Sequence, residues 1–148
     1  MSAQSNPTAK APRVAIILVS VLALFQIVRV LTYLMIQDIL AGKTPDAWLF
    51  PAMMDVFIGV TALFIAIGLW RGKGLLVWTS AIIFFCLSIS DHLDATTVVL
   101  TTKGPLPAMM SGAPSATAIQ LLVMSLLEAI AIWGLTTNRL RAHYLAKN

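Results

Sequence analysis

The sequence predicts an all-α integral membrane protein, a four-helix bundle running up-down-up-down with both termini cytoplasmic, and three observations predict it. Apolar residues make up 59% of the chain and charged residues only 11%, with a mean hydropathy of +0.89, which a soluble domain of this size does not carry. The apolar residues gather into four segments, each long enough at about 1.5 Å per residue to cross a hydrocarbon core of roughly 30 Å. The basic residues divide unevenly between the two sides that these segments define.

Residues 1–12, rich in Ser, Ala, Pro, Asn and Thr, read as a flexible cytoplasmic tail. A four-span domain covers 13–137, with spans at about 14–36, 48–70, 75–93 and 117–136. The first apolar run is longer than a signal-peptide core, carries Arg29, and is followed by no clean small-x-small cleavage site, so it reads as a retained helix. Gln37 to Ala47, with Gly42, Pro45 and Asp46, forms an outer turn. Gly72, Lys73 and Gly74 form a tight inner turn that makes spans two and three an antiparallel hairpin. The third span loses its uncharged character after Ser90. From about 95 to 116 a Thr- and Val-rich stretch, then Gly104, Pro105, Pro107, Gly112 and Pro114, reads as a long outer loop, either a connector or a docking or lid element. Residues 138–148 read as a basic cytoplasmic tail.

Seven of the ten Lys and Arg residues set the orientation. Lys10 and Arg13 precede the first span, Arg71 and Lys73 lie between the second and third, and Arg139, Arg141 and Lys147 follow the fourth; only Lys43 and Lys103 lie opposite. The positive-inside rule then places both ends and the middle turn in the cytoplasm, N-in and C-in. The net charge of +4 is thus a topology signal. Spread over three short segments beside a membrane, these residues make no continuous groove for nucleic acid.

Polar residues inside a span are costly and point to function or to a partner. In the first span Gln26, Arg29, Tyr33 and Gln37 fall on one α-helical stripe facing away from lipid. The second offers Asp55 with Gly59, Ala62 and Ala66, small residues that let a neighbouring backbone come close. The fourth aligns Thr117, Gln120, Met124 and Glu128, and the third holds Ser80, Ser88 and Ser90. Arg29 and Asp55 both lie roughly 10 Å in from the outer end, Gln26 and Glu128 roughly 15 Å. These depths predict a buried cluster of Gln26, Arg29, Asp55 and Glu128. Two alternatives stand beside it: Arg29 snorkelling to the outer headgroups, and Glu128 held as a neutral acid.

Asp91, His92 and Asp94 form a candidate outer-face cluster. Their residue types suit a divalent cation, but on a helix His92 points about 100° away from the two carboxylates and no second His or Cys supports a site. The reading is a solvated helix end, or a group titrating toward the outer compartment with His92 as its pH-sensitive member. No metal or cofactor is expected.

Several activities lack the residues they need. The single cysteine, Cys86, excludes a disulfide relay, and His92 and His143, one on each side, cannot hold a haem between them. Phosphate loops, dinucleotide fingerprints and nucleophile elbows do not occur in the sequence. Trp48, Trp70, Trp78 and Trp133 lie near span ends and suit an interfacial aromatic belt.

The stretch WLFPAMMDVFIGVTALFIAIGLWR, Trp48 to Arg71, followed by LLVWTSAIIFFCLSISDHLDA, resembles a group of small bacterial four-helix membrane proteins. The likeness rests on the spacing of Pro51, Asp55 and Gly59, the aromatic-basic end of the second span, and an Asp at the outer end of the third. It covers about the middle third of the chain, implies a helical bundle of the bacterial inner membrane, and transfers no activity. The function expected is that of a non-catalytic accessory subunit or assembly factor docking on other membrane subunits; the alternative is a small oligomeric transporter or proton-coupled channel using Glu128, Arg29 and Asp55.

Overall fold

The computed structural model describes residues 12–104, 106–108, 110 and 112–146. The amino-terminal tail through residue 11, Lys10 with it, and Lys147 lie outside the described residues. All regular structure among the described residues is helical. Four runs are long and apolar enough to cross a membrane: Arg13–Leu40, Asp46–Arg71, Leu75–Thr101 and Pro114–Thr136, the first to fourth spans below. A short helix, Asn138–Leu145, follows.

The spans are longer than the sequence suggested, chiefly at the loop ends. The third continues to Thr101, and its threonines bond within the helix: Thr96 Oγ1 donates to the His92 carbonyl at 2.7 Å, Thr97 to Leu93 at 2.9 Å and Thr101 to Thr97 at 2.7 Å. Hydroxyls satisfied this way no longer compete with the helix. The fourth span begins at Pro114, whose missing N–H costs nothing in a first turn. The expected outer loop at 95–116 is therefore helical at both ends, over 95–101 and 114–116.

The first span changes winding along its course. It is α-helical over Arg13–Phe25, 3-10 over Gln26–Thr32 and α-helical again over Tyr33–Leu40. With three residues per turn, positions i and i+3 eclipse, so Gln26, Arg29 and Thr32 share one line, and the buried line continues through Met35 and Ile39. The expected α-helical stripe is corrected accordingly. Tyr33 and Gln37 fall on the exposed side, Tyr33 at 54%. Gln120 of the fourth span is likewise exposed, while Thr117 and Glu128 are buried.

Gly59 is what the 3-10 segment packs against. A Cβ built there would stand 2.6 Å from the Val30 backbone nitrogen and 3.2 Å from the Arg29 carbonyl carbon. Ala62 and Ala66 continue the same buried face of the second span. Backbone cannot yield as a flexible side chain does, so Gly59→Ala is expected to destabilise the fold by about 1–3 kcal/mol through overpacking. Thermal unfolding in detergent measures it, and an unchanged midpoint contradicts the close approach.

Two apolar clusters flank a polar layer. Towards the terminal ends, Ala23, Ile58, Ala62, Phe85 and Leu135 pack together; towards the loops, Met35, Ile39, Trp48, Ala52, Val99 and Ala118 do. Trp48, 1% exposed, plugs this second cluster and is no part of an interfacial belt. Trp70 and Trp133 are open to the surroundings, whereas the Trp78 indole donates to the Leu135 carbonyl at 2.9 Å.

The described part of the basic tail is a docked helix. Leu140 and Tyr144 are buried, the Tyr144 hydroxyl donates to the Leu69 carbonyl at 2.7 Å, and the Gly74 N–H donates to the Tyr144 carbonyl at 2.7 Å. Gly74 sits at φ +106°, open to glycine alone without strain. Burial pushes the Tyr144 phenol from 10.0 up to about 12, and burial, then the charge of Lys73, holds the His143 imidazole below 6.5. The neutral phenol is the docked form. Its contribution to stability is whole below about pH 10 and falls as pH rises toward 12, where only the unfolded state has shed the proton. Tyr144→Phe removes one buried hydrogen bond, about 1 kcal/mol. Proteolysis of the carboxy-terminal helix should quicken in that variant, and in the native chain above pH 10; equal cleavage rates contradict the docking.

Candidate functional site

Between the two apolar clusters, seven polar side chains from all four spans meet. The first span contributes Gln26 and Arg29, the second Asp55, the third Ser88, Asp91 and His92, and the fourth Glu128. The 3-10 winding aims both first-span residues at one place. Along the third span, Ala81, Phe84, Ser88, Asp91, Ala95 and Val99 form one buried helical line, which carries Ser88 and Asp91 to the same level.

Arg29 organises one half. Its Nε donates to Asp55 Oδ1 and its Nη2 to Asp91 Oδ2. These two nitrogens form the edge of the guanidinium that usually takes a single bidentate carboxylate, so two carboxylates crowd one counter-charge. The remaining nitrogen, Nη1, donates to Gln26 Oε1 at 3.2 Å and to Ser88 Oγ at 2.5 Å. Its side chain is 8% exposed, so the snorkelling alternative does not hold.

Glu128 organises the other half and is fully buried. Its Oε1 accepts from Gln26 Nε2 at 2.9 Å and from the Ser88 hydroxyl. Its Oε2 lies 3.1 Å from His92 Nδ1. Ser88 and Gln26 thus touch both halves, each accepting from Arg29 and donating to Glu128. One oxygen is left over: Asp91 Oδ1 is buried without a hydrogen-bond partner.

Gln26, Arg29, Asp55 and Glu128 come together here. The outer-face cluster of Asp91, His92 and Asp94 does not form. Asp91 and His92 are 3% and 6% exposed and turn to different partners, Arg29 and Glu128, while Asp94 stands half-buried outside the network. The third span runs on to Thr101, which puts Asp91 well inside the helix and not at its outer end. Among the described residues no three His, Cys, Asp or Glu side chains are grouped to hold a metal ion.

Chemically the cluster carries an acidic excess. With every carboxyl ionised and His92 neutral, Arg29 supplies one positive charge and Asp55, Asp91 and Glu128 three negative ones, a net of −2. In a low-dielectric interior such an imbalance of charge is costly. The chain matches no protein-family model, and neither the curated proteins nor the solved structures compared with it yield a match.

Proposed function

We propose that this protein is a small proton-coupled transporter or channel of the bacterial inner membrane, with the buried cluster as its proton-binding site. The observation that carries the reading is the surplus of carboxylates around one guanidinium, extended to His92 through Glu128. A structural ion pair needs one carboxylate per cation, whereas two carboxylates on one arginine, linked through Ser88 and Gln26 to a third carboxyl and an imidazole, create places for protons to come and go. Ser88 and Gln26 connect the two halves, so a change of charge at Glu128 is felt at Arg29.

In this reading the spans run up-down-up-down with both termini in the cytoplasm. Support comes from the excess of Lys and Arg beside the termini and the 72–74 turn, and from a cavity lined by both Arg13 and Arg139. Reporter fusions at the two ends are expected to read the same, cytoplasmic side; opposite sides would refute the topology.

A second reading, an accessory subunit or assembly factor of a larger complex, draws on the broad exposed faces of Leu and Ile on every span, joined by Phe on the first two, suited to lipid or to another subunit's helices. Reconstitution separates the two. Proteoliposomes holding the native chain should collapse an imposed pH gradient, followed with a trapped pH-sensitive dye, faster than protein-free vesicles. An unaltered gradient, with a stoichiometric partner co-purifying in mild detergent, would overturn the transport reading in favour of the accessory one.

A further inference from the structure

Among neighbouring spans, the first and fourth are the least closely packed. Ala15, Ala131 and Gly134 leave their seam open, and even a Cβ added at Gly134 would stand 4.0 Å from its nearest neighbour, Val19. The seam forms an apolar groove of about 480 Å³, walled by Leu18, Phe25, Leu127 and Trp133. At its terminal end Ala15 and Leu18 also line a second cavity of about 720 Å³, so the two adjoin. Arg13 and Arg139 border that second cavity. Both are exposed, and neither makes an ion pair among the described residues.

An apolar groove adjoining two exposed guanidinium groups at a span end has the complement of one molecular class. We propose that it binds an anionic phospholipid, with the phosphate on Arg13 and Arg139 and an acyl chain laid along Leu18, Phe25 and Trp133. Guanidinium groups present paired donors to phosphate oxygens, a match that an ammonium does not make. Basic pockets between spans select anionic headgroups for the same reason. The charge complementarity favours lipid over a second copy of this chain, whose groove would bring the same two arginines against its own.

Native mass spectrometry of the full chain in detergent, titrated with phosphatidylglycerol or phosphatidylcholine, tests the site. One phosphatidylglycerol should be retained per chain, in preference to phosphatidylcholine. The double variant Arg13→Gln/Arg139→Gln should bind it about 30-fold more weakly, two basic side chains at about 1 kcal/mol each. Arg71→Gln/Lys73→Gln, which removes the same charge away from the groove, should leave binding near the native value. Gly134→Leu, which fills the groove, should weaken retention with both arginines in place. Equal binding of the two lipids, equal losses in the two double variants, or a dimer that survives delipidation and is lost in Gly134→Leu would overturn the proposal.

Discussion

Replacing Arg29 with Ala is expected to remove about 3–5 kcal/mol of stability, the usual consequence of deleting one partner from a buried ion pair. The guanidinium is the hub of the polar layer. Without it Asp55 and Asp91 face each other with no counter-charge, and Ser88 and Gln26 lose a donor. Arg29→Lys should rescue little, because one ammonium cannot meet two carboxylates and two further acceptors in a fixed plane. Pairing Arg29→Ala with Asp91→Asn should recover part of the loss, since the double variant no longer confines the second aspartate's charge. Thermal unfolding in detergent reads all three, with a fall in Tm on the order of 10 °C for the alanine variant. An unchanged Tm would mean that the guanidinium does not hold the layer together.

Glu128 separates the role of a proton site from that of a brace. In Glu128→Gln the amide oxygen still accepts from Gln26 and Ser88, and the new NH₂ group donates to a neutral His92 at Nδ1, so every bond of the network has a replacement. Stability should stay close to native. Proton flux in proteoliposomes should drop on the order of a hundredfold, the usual scale for losing a positioned proton-transfer group. Glu128→Leu instead leaves Gln26, Ser88 and His92 without their acceptor and should unfold the protein, at about 1–3 kcal/mol per unsatisfied group. A Gln variant with native flux would remove Glu128 from the proton path.

The four spans were legible because apolar length alone identifies them, and the meeting of Arg29 with Asp55 and of Gln26 with Glu128 followed from comparing depths along helices of known rise. Where that comparison failed, the causes are local. A 3-10 segment shifts the register beyond Arg29, which took Tyr33 and Gln37 off the buried line. Side chain-to-backbone bonds carry the third helix through Thr96, Thr97 and Thr101, residues whose β-branching and hydroxyls resemble a loop when read singly. That extension hid Asp91 and His92, although the spacing of Ser88, Asp91, Ala95 and Val99 holds the helical period that reveals Asp91. Trp48 looked interfacial by position, yet the lengthened neighbours enclose it. The docked helix at Asn138–Leu145 escaped notice because only Leu140 and Tyr144 anchor an otherwise polar segment.

Infrared difference spectroscopy of the reconstituted chain, recorded as a pH gradient is imposed and then collapsed, bears most directly on whether the cluster exchanges protons. A carboxylic-acid carbonyl band should change reversibly with the gradient, and should be altered in both Glu128→Gln and Asp91→Asn, since Ser88 and Arg29 couple the two sites. A spectrum in which no carboxyl responds, or in which the responding band is untouched by either substitution, would contradict it.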